Sequence, residues 1–231
     1  MPDYERPTAT VEDYLQEIYN LLEDGRTVIG ARLAERIGVS APTASATIQR
    51  MQRDGLIVAD DHHDIHLTDK GREAAESIKR RHYLTERLLV DILGMDWAAA
   101  HEEAHLIEHA VSPRVEERIA AVLGNPTTCP HGNPFPGLPH PPTVLLSTLA
   151  EGDEREIDGV MEEAEEDAEL MLFLQQNGMT PGTKLRVVEV ATFNATITIE
   201  VNGKDVVLGI PAAESVRVLD PANGSAGVSA N

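Results

Sequence analysis

His101, His105, Glu108 and His109 place four potential metal ligands within the nine residues from 101 to 109. On a helix turning roughly 100° per residue they fall at about 0°, 40°, 340° and 80°, a single narrow stripe. Ala104, Leu106, Ile107 and Ala110 are apolar and occupy mostly the remaining faces. Imidazoles and a carboxylate packed this closely need water, a shared proton or a cation to coexist, and a divalent cation is the simplest solution. The same stretch also spells H-E-x-x-H, from His101 through Glu102 to His105. In zinc proteases that pattern supplies two metal ligands and a general base. A protease needs in addition a third ligand, an open coordination position and a cleft, whereas here Glu108 and His109 crowd the stripe. A zinc metalloprotease therefore stands as the alternative reading, not the principal one.

The elements that must position these residues are legible along the chain. Residues 11–23 carry apolar side chains at helical spacing behind Thr10, a candidate N-cap. A second helix is expected from about Val28 to Ile37, stopped by Gly38. Ser40 and Pro42 then open a third, which continues to about Asp54 before Gly55. The segment LIVADDHHDIHLT reads as two short strands around a polar turn. Helix, turn, helix and hairpin in that order make a winged helix-turn-helix with the third helix as reader.

Three further helices are expected over 69–93, 97–111 and 113–123. Residues 125–142 hold seven prolines in eighteen positions, which excludes helix or central strand and marks a linker. Beyond Val144 a small barrel of roughly 75 residues is expected. It has a helix near 167–177, strands at 184–190, 196–201 and 205–208, and a tight turn at Asn202-Gly203. The last eleven residues, 221–231, are small and polar, a disordered tail. The fold class is mainly α with small β parts. It divides into a DNA-binding module (1–70), a helical metal-binding and dimerisation module (71–142, with the linker at 125–142) and a barrel (143–220).

The formal net charge of −20 argues at first against nucleic acid, since phosphate contacts need Lys and Arg. The charge is uneven, however. Glu151–Leu170 holds 11 acids and one base, while Ser40–Arg53 holds two arginines and no acid. On the third helix Ser40, Pro42, Thr43, Ser45, Arg50 and Arg53 are the candidate DNA contacts, hydroxyls and arginines suited to phosphates and base edges. Ala44 and Ala46 sit centrally, so specificity leans on methyl contacts, water and groove shape. His62, His63 and His66 in the hairpin read as solvent-facing. One cysteine, Cys129, allows no intrachain disulfide, and no apolar run approaches the roughly 20 residues that span a bilayer. A cytoplasmic protein with no membrane partner is expected.

The segments VEDYLQEIY, SAPTASATIQRMQRDGL, RRHYLTERLL, HEEAHLIEH and CPHGNPFPG together resemble the metal-dependent transcriptional repressors of the diphtheria toxin repressor family, from about Val11 to Leu219. The resemblance implies a C-terminal SH3-like (FeoA-like) barrel and a primary metal site at Asp13, His82, His105, Glu108 and His109. Iron-responsive members place Met where this chain has Asp13 and Cys where it has His105. Manganese-responsive members have the Asp but usually a carboxylate at the second position. An N/O donor set favours Mn²⁺ first and Fe²⁺ next, with Zn²⁺ open to it because imidazole suits zinc. The resemblance also implies a second site drawn from Glu86, His101, Cys129, His131 and Asp167, with Glu166 or Glu169 as replacements for the last.

The function implied is a homodimeric, metal-activated repressor of metal-homeostasis genes, binding a two-fold-symmetric double-stranded DNA operator. Its rival of a different kind is a metal-sensing protein that acts through a protein partner.

Overall fold

The structure is a computed structural model that describes residues 6–23 and 25–220. The expected disordered tail, 221–231, lies outside the described residues. The chain forms two bodies: one comprises the residues up to His82 together with Ile107–Val111, the other Tyr83–Leu106 and the residues from Ser112 onward.

In the first body, α1 (Ala9–Glu23), α2 (Gly30–Ile37) and α3 (Ala41–Arg53) precede a hairpin of β1 (Ile57–Ala59) and β2 (Ile65–Leu67); α4 (Asp69–Arg87) follows and belongs to this body as far as His82. Apolar residues at helical spacing on α1, Val11, Leu15, Ile18 and Leu21, are buried together with Leu33, Met51, Ile57, Ile65 and Ala75. Gly38 ends α2 in the left-handed region at φ 72°, and its backbone N–H bonds back to Ala34 and Glu35. Ser40 caps α3 by accepting from the Thr43 N–H, with proline in the first turn. The hairpin pairs Val58 with His66 in antiparallel register. This is the expected winged helix-turn-helix. Thr10, by contrast, lies inside α1: the carbonyl of Thr8 accepts the first helical bonds, from Val11 and Glu12.

In the second body the helix that was expected to run straight to residue 93 widens after Arg87 into a π turn, Leu88–Ile92. Next, α5 (Trp97–Ile107) gives way to a 3₁₀ turn at Glu108–Ala110, and α6 (Pro113–Val122) follows, capped by Ser112. The four-ligand stripe is thereby divided. His101 and His105 stay on α5 in this body, while Glu108 and His109 fall in the tighter turn that belongs to the first.

Six antiparallel strands make the C-terminal sheet: β3 (Thr143–Leu145), β4 (Glu154–Val160), β5 (Lys184–Ala191), β6 (Thr196–Val201), β7 (Lys204–Gly209) and β8 (Val216–Leu219). Their spatial order is β3-β8-β4-β5-β6-β7, with α7 (Ala168–Gln176) and the short α8 (Ile210–Ala213) between strands. Bulges after Ile157 and Val187 bend it. Leu146, Ile157, Met171, Leu174, Val187, Ile199 and Val218 fill the interior. Asn202 and Gly203, at φ 51° and 75°, form the turn expected of them. No helix among the described residues is long and apolar enough to cross a membrane.

The proline-rich stretch forms no helix or strand, but it is packed rather than a free linker. Cys129, His131, Asn133 and Phe135 are buried. Thr128 bridges to Pro134, and the Val160 N–H on β4 donates to the His131 carbonyl at 2.9 Å. Gly132 makes that approach feasible: at φ 95°, a Cβ there would stand 2.1 Å from the Asp158 carbonyl oxygen. Gly137, at φ 81°, has nothing within 4 Å of its would-be Cβ. Replacing Gly137 with Ala therefore costs only backbone strain, roughly 1–2 kcal/mol. Gly132→Ala adds a collision and should cost about 3 kcal/mol or more. Urea denaturation of the two variants compares them directly, and equal midpoints would contradict a docked segment.

Candidate metal centres and nucleic-acid face

Four of the five residues expected at the primary site belong to the first body, and they converge. From α1, Asp13 reaches His109, with Oδ1 2.9 Å from Nε2. The same nitrogen lies 3.5 Å from Glu108 Oε1, and the other Glu108 oxygen is 2.6 Å from His82 Nδ1 on α4. Asp13, Glu108 and His109 each offer one donor atom, all within 4.8 Å of one another. Glu108 is buried, so its charge must be balanced where it sits. Two carboxylates and an imidazole with no thiol or thioether form a hard N/O set, the chemistry that suits Mn²⁺ or Fe²⁺. His105 lies on α5 in the second body; it is exposed, and its ring stands edge-on to His101 at 4.9 Å.

Around this cluster lies a layer that the sequence reading missed. Glu12, the neighbour of Asp13 on α1, is only 2 % exposed. Its Oε2 is 2.8 Å from His109 Nδ1. Its Oε1 accepts from Arg6 Nε at 2.8 Å and from Arg81 Nη2 at 2.6 Å. Arg6 also donates to the carbonyls of Val111 and Glu108. A buried face on α1 that includes a glutamate was the available signal, since a carboxylate there demands a cation.

A second cluster lies wholly in the other body. His101 Nδ1 is 2.8 Å from Glu86 Oε1 and 3.5 Å from Glu165 Oε2. His131 Nδ1 is 3.2 Å from Glu165 Oε1, and Cys129 Sγ is 4.0 Å from the same oxygen. Two overlapping triads result, Glu86-Cys129-His131 and Glu86-His101-Glu165, each with donor atoms within 4.8 Å. Neither ring nitrogen of His131 nor Oε2 of Glu165 makes a hydrogen bond, although all are buried. Buried polar atoms left in this way suit a cation-binding pocket.

The acid that turns inward is thus Glu165, not Asp167. Asp167 is exposed and caps α7, accepting from the Leu170 N–H at 3.0 Å. Glu166 and Glu169 are exposed as well. The clue was local: an Asp just ahead of AELMLFLQQ is an N-cap pattern, which occupies its carboxylate. Glu165 is held by the Asn133 amide, and Asn133 in turn by Arg217 of β8 at 2.8 Å.

Electrostatics in this pocket follow from burial. Burial and the adjacent Glu165 carboxylate push the Cys129 thiol up to about 11, against the opposing pull of His131. For His131 burial disfavours the cation, but Glu165 and Glu86 prevail and raise its pKa well above the ordinary imidazole value. A cation bound there would compete with protons for the same lone pairs.

On α3 all six expected contact residues, Ser40, Pro42, Thr43, Ser45, Arg50 and Arg53, are exposed. Arg50 donates to Thr8 Oγ1 at 3.1 Å and lies 3.7 Å from Asp54. Gln49 and Gln52 are exposed on the same helix and add amide side chains of the kind that read adenine, which the sequence reading passed over. The three hairpin histidines are exposed, and His66 pairs with Asp60 at 3.4 Å.

A raised thiol pKa inside the fold has a direct consequence. In the native, metal-free protein at pH 8, Cys129 should react slowly with iodoacetamide, and faster only as the pH approaches about 11. In urea it should react at once. Rapid alkylation of the native protein at pH 8 would contradict the buried, anion-flanked setting.

Comparison with known proteins agrees with this geometry. Residues 7–64 match the family described as iron dependent repressor, N-terminal DNA binding domain. Residues 68–137 match the iron dependent repressor metal binding and dimerisation domain, and 144–219 match the FeoA domain. The iron-dependent repressor IdeR of Mycobacterium tuberculosis is 41% identical over 224 residues, covering 90% of this chain and 92% of that protein. The diphtheria toxin repressor of Corynebacterium diphtheriae is 46% identical over 129 residues, 56% of this chain and 57% of that one. A solved manganese-dependent transcriptional repressor in complex with manganese is 38% identical and superposes with a TM-score of 0.81, over 90% of this chain and 99% of that chain. The H-E-x-x-H stretch is accordingly not a protease signature: Glu102 is exposed and His101 faces Glu86. The chain belongs to the iron-dependent (diphtheria toxin) repressor family, metal-responsive DNA-binding transcriptional repressors and not enzymes.

Proposed function

We propose that this protein is a cytoplasmic, homodimeric repressor of metal-homeostasis genes, activated by Mn²⁺ in the first place and Fe²⁺ in the second, that binds a two-fold-symmetric operator. Its three parts are the DNA-binding module 1–70, the metal-binding and dimerisation module 71–142 and the barrel 143–220. The observation that carries this reading is the convergence of Asp13, on the DNA-binding module's first helix, with Glu108 and His109. Asp13, Glu108 and His109 would hold a divalent ion there, which would supply positive charge for two carboxylates to share. Asp13 would thereby be tied to the 108–110 turn and α1 held in one placement. Since α1 shares a core with α2 and α3, holding α1 holds the reader.

Glu86, His101, Cys129, His131 and Glu165 form the second centre. One thiol beside two imidazoles and two carboxylates makes it softer than the first, so Zn²⁺ competes better there. Because Glu165 sits between the Pro-rich segment and the barrel's first helix, this centre fixes the 129–135 loop against β4. To move a population from 1:99 to 99:1, ligands must favour one form by about 5.5 kcal/mol. Two centres per chain divide that requirement.

Ser40, Thr43, Ser45, Arg50 and Arg53 would contact phosphates and base edges from the exposed side of α3. The paired readers of a dimer would then lie about one DNA turn apart.

Fluorescence anisotropy with the DNA upstream of the protein's own gene tests the switch. Mn²⁺ should tighten binding at least tenfold over the metal-free protein. His109→Ala should abolish that gain while circular dichroism and Tm stay close to wild type. Binding indifferent to metal, or a responsive His109→Ala, would refute the mechanism. Metal stoichiometry separates the candidate acids: Glu165→Gln should remove one of two ions per chain, and Asp167→Asn neither.

A further inference from the structure

Glu12, Arg6 and Arg81 do more than neutralise one another. We propose that Glu12, clamped by the two arginines, is the positioning residue that sets which nitrogen of His109 faces Asp13 and Glu108, and that Arg6 makes the segment ahead of α1 part of the metal response. The inference rests on the primary-centre reading above and deepens it.

Neutral imidazole carries its hydrogen on one nitrogen and a lone pair on the other. The His109 ring has Glu12 Oε2 at 2.8 Å from Nδ1 and Asp13 Oδ1 at 2.9 Å from Nε2. A carboxylate can only accept, so Glu12 takes an N–H from Nδ1, and Nε2 is the nitrogen left facing Asp13 and Glu108, where a bound ion would take its lone pair. Neighbouring residues on a helix point about 100° apart, which is why Glu12 is buried beside the ring's back edge while Asp13 stays half-exposed at its front.

A free carboxylate next to Asp13 would compete as a ligand itself. Both arginines prevent this. Arg6 and Arg81 converge on Oε1 and Oε2 is taken by His109, so the carboxylate is saturated. Such a carboxylate orients a ligand without joining the coordination shell. Arg6 adds the mechanical element: the same guanidinium that holds Glu12 donates at 2.9 Å and 3.0 Å to the carbonyls of Val111 and Glu108. It therefore staples residues 108–111 to the start of α1, the two pieces that the ion must bring into register.

The test uses full-length protein. Glu12→Gln should weaken Mn²⁺ at the primary centre about 10–100-fold by calorimetry. Glu12→Asp, which keeps the charge, should recover part of the loss. Arg6→Ala lies at the partly exposed edge and keeps the test available if the Glu12 variants do not fold. It should weaken Mn²⁺ about tenfold with little change in Tm. Wild-type Mn²⁺ affinity in Glu12→Gln or in Arg6→Ala would overturn the proposal. Failure of that assignment shows separately, as unaltered Mn²⁺ binding in His109→Ala.

Discussion

A carboxylate that folds into a protein must be neutralised where it lies, and four glutamates here do so: Glu12, Glu86, Glu108 and Glu165 are each 2 % exposed or less. Everything chemically distinctive about the chain follows from how each is balanced. Glu12 is balanced by two arginines and an imidazole and is closed to other partners. Glu108 stands between His82 and His109, and Glu86 and Glu165 between His101 and His131. Histidine is an adjustable partner: it balances a carboxylate as a cation, or gives up its proton when a metal ion takes its place. Arginine keeps its proton. The pattern of arginine and histidine around buried acids therefore separates the fixed supports from the centres proposed to respond to metal.

Helix irregularities place those acids. Were α5 to continue unbroken, Glu108 and His109 would remain on the same stripe as His101 and His105. The 3₁₀ turn at 108–110 instead assigns the two pairs to different bodies. The proline-rich segment works in the same way. Lacking regular hydrogen bonding of its own, it can fold as a close loop, and Gly132 lets its backbone meet β4. Cys129, His131 and Asn133 thereby enter a buried pocket that neither helix nor strand could have supplied.

The overall charge and the function are reconciled by location. Half of the −20 lies in the acidic stretch 151–170, where most of the acids remain at the surface, and the polar groups exposed on the reader helix are hydroxyls, amides and arginines. Net negative charge limits non-specific attraction to DNA, while a reader segment without acids keeps its own phosphate contacts.

Local chemistry was legible in the chain alone: the winged helix from Gly38, Ser40 and Pro42, the hairpin turn at Asn202-Gly203, and the identities of Asp13, Glu108 and His109 as metal-competent residues. Each depends on neighbours within a few positions, where periodicity and capping rules apply. Tertiary structure decided which acid of 165–169 turns inward, that residues 125–142 pack instead of linking, and that Glu12 answers to Arg6 and Arg81. Those outcomes depend on burial by segments distant in sequence; Glu12 and Arg81 are 69 positions apart, and no pattern along the chain records which distant charge a buried carboxylate will meet.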